Sequence, residues 1–163
     1  MAEALFRRCL EERGVPATVT SAGLMDGGRP ATDDAIATMA ADGLDIAGHL
    51  SRQITRPMIT EADLVVAMTR QQVVEATVMA PDAWPRIFGL RELVGRAEAV
   101  GPRPADQPFA AWLAQVGEGR TRSSLLAASL ADDVADPIGQ SRAVYERTRK
   151  LLDDQLTRLA GLL

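Results

Sequence analysis

Cysteine, histidine and tyrosine occur once each in this 163-residue chain, as Cys9, His49 and Tyr145, and each scarcity closes off chemistry. A single cysteine forms no intrachain disulfide, and with a single histidine it cannot complete a tetrahedral zinc site. A reducing, cytoplasmic setting is expected. Two Trp, one Tyr and three Phe are too few for single-strand stacking platforms and leave the core to aliphatic side chains. No apolar run approaches the ~20 residues that cross a bilayer, and Met1 to Arg13 carries charge throughout, with no signal-peptide centre. No membrane partner is expected. Basic residues form no block: 18 against 22 acidic give a net charge of −4, so no nucleic-acid partner is expected either. Gly27-Gly28 has neither a Gly-x-Gly-x-x-Gly pattern nor a Walker lysine, and no cofactor or metal is implied.

What is present is ordinary for a globular protein: 47% hydrophobic and 25% charged residues, with 13 Gly and 9 Pro. A chain of this length buries roughly 70% of its extended surface. No repeat or linker divides it, so residues 1–163 are read as one domain. Ala2 to Arg13 reads as a helix stopped by Gly14, and Ala17 to Ser21, β-branched at its centre, as a short strand. Thr32 caps a helix from Asp33 to Asp42 that carries two acids in its first turn and is closed by Gly43. Pro57 opens a short helical turn. The continuous apolar run Asp63 to Met68 reads as a strand covered on both faces.

Helix returns from Arg70 to Ala80 and stops at Pro81, and Arg86 to Leu90 is a third strand. Gly95 to Gln107, with Pro102 and Pro104, reads as a loop. Modest helices are expected over Phe109 to Val116 and Ser123 to Leu130. The last helix starts at Ser141, with Val144, Leu151, Leu152, Leu156, Leu159 and Leu163 as its apolar stripe. The alternation predicts an α/β fold: three layers, an open parallel sheet and helices on both faces. Because the order opens on a helix, the first central strand is expected to be absent.

Four segments in register resemble the low-molecular-weight protein-tyrosine-phosphatase family. They are Met1 to Arg8; Thr20-Ser21-Ala22-Gly23; Gly48 to Thr55 with Ala62 to Met68; and Asp136-Pro137 followed by the last helix. Residues 95–130 look like an insertion or a longer bacterial variant. The resemblance implies phosphate-monoester hydrolysis through a cysteinyl-phosphate intermediate, on a phosphorylated protein or small phosphomonoester. In that family a Cys-(x)5-Arg loop at a helix N-terminus holds the phosphate on backbone N–H groups, stabilises the thiolate and grips the oxygens with arginine. An aspartic acid then protonates the leaving oxygen, typically a 10²–10⁴-fold contribution.

This chain lacks that loop, because a Cys-(x)5-Arg motif starting at Cys9 would need arginine where Val15 stands. Cys9 reads as a small buried helix residue. By resemblance Asp136 is the general acid and Pro137 fixes its backbone, although Asp-Pro is also an ordinary turn signal. His49 and Ser21 resemble supporting residues; by themselves they read as a structural histidine and a strand terminator. Ile138, and Leu24 to Pro30, hold no aromatic residue where the family often has one, which leaves a phenyl ring without its usual walls. The acidic cluster Asp132, Asp133 and Asp136 reads as solvated loop charge rather than a cation site. Arg7, Arg8 and Arg70 read as surface charges.

The reading is therefore a phosphatase-like domain, inactive as these 163 residues stand, with an N-terminal truncation as the expected cause. One alternative is a catalytically dead, phosphatase-like binding protein. Another is an arsenate-reductase-like enzyme, a chemistry that needs further thiols. The pattern leaves oligomeric state open.

Overall fold

The computed structural model describes residues 1–121 and 132–163, which gather into two compact units: Met1–Ile54 with Ala135–Gly161, and Thr55–Val134 with Leu162–Leu163. In the first unit, α1 (Ala2–Glu11) and α2 (Asp33–Ala40) pack on the long C-terminal helix α7 (Arg142–Ala160). The second holds α3 (Arg56–Glu61), β1 (Val65–Ala67), α4 (Arg70–Met79), a 3₁₀ turn (Pro81–Arg86), β2 (Ile87–Gly89), α5 (Leu90–Val100) and α6 (Phe109–Val116). β1 and β2 pair in parallel, with Val65 opposite Ile87, Val66 opposite Phe88 and Ala67 opposite Gly89. Helices α4 and α5 pack against both strands, and the architecture is α/β.

Local chemistry accounts for the boundaries. Thr32 Oγ1 accepts from Ala35 N–H at 3.3 Å and Thr55 caps α3 in the same way. Thr69 and Gln72 form a reciprocal capping box on α4. α1 ends before Gly14, whose φ of +65° suits glycine. Leu5, Cys9 and Leu10 of α1 are buried, as are Tyr145, Leu152, Leu156 and Leu159 of α7. The buried stripe of α7 thus runs through Tyr145 and Thr148, while Val144 and Leu151 are half-buried.

Three expectations need correction. Ala17 to Ser21 forms no strand: the nearest pairing is an isolated parallel bridge from Gly23 to Gln53, so among the described residues its β-branched positions find no backbone partner to complete a ladder. Gly95 to Val100 is not loop but the second half of α5. Leu90, Leu93, Val94 and Ala97 form a buried i, i+3, i+4, i+7 stripe that outweighs one mid-helix glycine, and the break comes at Gly101 with φ +94°. The core is also less purely aliphatic than expected, since Phe88, Trp112 and Tyr145 are buried. The helix expected over Ser123 to Leu130 lies outside the described residues. Among those described, no helix is long and apolar enough to cross a membrane.

Candidate active site

Ser21 bonds a residue the sequence did not single out, Glu3 in the first turn of α1. Ser21 Oγ donates to Glu3 Oε2 at 2.5 Å, and Arg7, one turn further on, donates to Oε1 at 2.5 Å. Burial pushes the Glu3 carboxyl up, but the Ser21 and Arg7 hydrogen bonds and the charges of Arg7 and His49 outweigh it, so its pKa lies below the ordinary value. His49 is half-buried, and its backbone N–H donates to Ile46 C=O at 3.0 Å. Glutamate on a helix surface resembles any solvated charge, and its only sequence cue was its place in the Met1 to Arg8 segment.

Two arginine side chains from elsewhere in the chain bond the extended stretch before Gly23. Arg52 forks onto Ser21 C=O through Nε at 3.3 Å and Nη2 at 3.0 Å, and Arg7 Nη2 reaches Val19 C=O at 3.3 Å. The following loop is zipped to residues 50–54: Gly23 N–H donates to Arg52 C=O, Gly28 N–H to Ser51 C=O and Ser51 N–H to Arg29 C=O, each at 2.8 Å. Gly27 is required there, because a Cβ would lie 2.8 Å from the Ser51 carbonyl oxygen. Gly27-Gly28 thus serves a close backbone approach.

Asp136 is exposed, and its Oδ1 accepts from Ile138 N–H at 3.0 Å. Gln140 N–H donates to Pro137 C=O at 2.9 Å, completing a tight turn. Among the described residues nothing joins Asp136 to the Glu3, Ser21 and His49 group. Cys9 is 1% exposed within α1, its Sγ 3.4 Å from Thr157 Oγ1. Asp133 is more than loop charge: its Oδ1 accepts from Arg70 N–H at 2.7 Å, at the start of α4. Arg8 is likewise engaged, 2.6 Å from Asp153. No group of metal-ligating side chains is present among the described residues.

The chain is similar to a probable low molecular weight protein-tyrosine-phosphatase, EpsP, of Ralstonia solanacearum: 33% identical over 93 residues, 57% of this chain and 62% of that relative. The match therefore spans less than two thirds of the relative's length. A protein-arginine-phosphatase of Bacillus subtilis is 27% identical over 161 residues, 98% of this chain and 85% of its own. The crystal structure of a YwlE mutant from Bacillus subtilis is similar with a TM-score of 0.71 at 27% identity, covering 98% of this chain and 85% of that one. The profile of low molecular weight phosphotyrosine protein phosphatases matches residues 1–109, and the chain belongs to that family.

Proposed function

We propose that this chain serves phosphate-monoester hydrolysis with Asp136 as general acid, Pro137 fixing the turn that presents it, and Ser21 and His49 as supporting residues. The observation that carries this reading is the Asp136-Pro137 turn, where one carboxylate oxygen is tied to the backbone of Ile138 on an exposed turn. Such an arrangement fixes the orientation of the carboxyl group on an exposed turn, where a substrate's leaving oxygen can reach it. The substrate is a phosphorylated protein or a small phosphomonoester. Ile138 is 67% exposed and offers that substrate an aliphatic surface in place of a ring.

The same reading makes these 163 residues inactive by themselves. Cys9 is buried in a helix beside Thr157, with Val15 where a phosphate-gripping arginine would be needed. The test is p-nitrophenyl phosphate hydrolysis by the chain as given and by the same chain preceded by an apolar strand and a Cys-(x)5-Arg-Ser-Pro loop. No turnover is expected from the first. Turnover is expected from the second, falling 10²–10⁴-fold in Asp136→Ala. Phosphorylation of Cys9 during turnover by the unextended chain would overturn the inactivity, and an unchanged rate in Asp136→Ala would overturn the role of the acid.

A further inference from the structure

Asp-Gly occurs twice in this chain, at Asp26-Gly27 and Asp42-Gly43, and asparagine not at all. Glycine has no Cβ, so the main-chain nitrogen that follows such an aspartate lies open to the aspartate's own side-chain carboxyl. The fold treats the two pairs differently. At Asp42 the carboxylate is half-buried in an ion pair with Arg149, and Gly43 N–H donates to Ala40 C=O at 3.0 Å, so both reacting groups are committed. At Asp26 the side chain is exposed, and neither its carboxylate nor Gly27 N–H has a hydrogen-bond partner among the described residues.

We propose that Asp26 is a site of spontaneous isoaspartate formation and that the fold protects Asp42 from the same reaction. The Gly27 nitrogen attacks the side-chain carboxyl carbon of Asp26. A C–N bond forms, and the acid's hydroxyl leaves with the amide proton as water, closing a succinimide ring. Water then cleaves the bond between the Gly27 nitrogen and the Asp26 main-chain carbonyl carbon, so that the chain continues through the side chain. Nothing is oxidised or reduced. The product has one more carbon in its main chain, next to a glycine whose Cβ would already lie 2.8 Å from the Ser51 carbonyl oxygen. The adjoining bond from Gly28 N–H to Ser51 C=O, 2.8 Å long, has no slack to absorb it.

The test ages the folded chain in weakly acidic buffer, because the protonated carboxyl is the form that loses water. Isoaspartate is read as methyl groups accepted from labelled S-adenosylmethionine through an L-isoaspartyl methyltransferase, and placed by Asp-N digestion, which does not cut before isoaspartate. With no asparagine in the chain, deamidation adds nothing to the signal. Asp26 is expected to react at least about tenfold faster than Asp42, the scale of releasing one charged hydrogen bond. In urea the two sites should react alike, since nothing then holds Asp42. Asp26→Ala should remove most of the methyl acceptance of the folded chain, and Gly28 should lose hydrogen-exchange protection in the isomerised fraction. No acceptance by the folded chain, equal rates at its two sites, the same preference in urea, or full acceptance by folded Asp26→Ala would overturn the proposal. Unchanged protection of Gly28 would overturn its consequence for the loop.

Discussion

Residues 17–21 and 65–67 are both short and rich in β-branched or small apolar side chains, yet only the second set forms a strand. Val65 to Ala67 lies in register with Ile87 to Gly89, so its ladder groups find main-chain partners. At Val19 and Ser21 the carbonyls are taken by the guanidinium groups of Arg7 and Arg52. β-propensity describes a side chain's fit to a pleated surface; the strand itself requires a second backbone. Where none is bonded, long flexible donors substitute, and the stretch stays extended without becoming sheet.

The contrast can be broken most severely on its paired side. Phe88→Ala, which empties a fully buried position of β2, is expected to cost about 3–5 kcal/mol, read as a lower urea midpoint. Next comes Arg120, whose side chain is 2% exposed and lies over the Trp84 ring at 4.2 Å and the Phe88 ring at 3.7 Å. It also donates to Glu92 at 2.7 Å and to the Ile87 carbonyl of β2 at 2.7 Å. Burial lowers its pKa, opposed by Glu92. Arg120→Ala is expected to cost about 2 kcal/mol and Arg120→Lys to recover only part, because lysine has no planar fork.

On the unpaired side the effects are smaller. Glu3 has a depressed folded pKa, so its contribution is fully present above the unfolded-state value near 4.5 and is lost as pH falls through the lower folded value. Urea midpoints between pH 3 and 7 should therefore drop on the acid side, and Glu3→Gln should flatten that limb. Smallest of all, Arg52→Ala removes an exposed contact and is expected to cost under about 1 kcal/mol. Hydrogen exchange sharpens the comparison: ladder amides of β1 and β2 should be protected, while those of 18–20 exchange fast in wild type and variant alike.

Much of this was legible in the residues. Thr32 with Asp33 and Asp34 announces α2, and Phe109 to Val116 appears as the helix expected, because caps and periodicity are local. Gly95 misled because prolines at 102 and 104 suggested an early end, whereas the stripe from Leu90 to Ala97 is a tertiary fact that binds the helix together. Ser21 and His49 come to notice through the resemblance. Glu3 does not stand out in the sequence, because what distinguishes it is what reaches it: a hydroxyl eighteen residues away and the charge of a distant histidine. Arg120 escaped for the same reason, its aromatic cage being assembled from Trp84 and Phe88 only after folding.

The contact at Gly27 has a mechanical consequence. With the Ser51 oxygen so near, two main chains touch there with no side chain as spacer. The gauge between the segments that carry Ser21 and Arg52 is therefore set by covalent peptide dimensions, and a methyl group at position 27 would act as a shim, prying apart the clamp that aligns them.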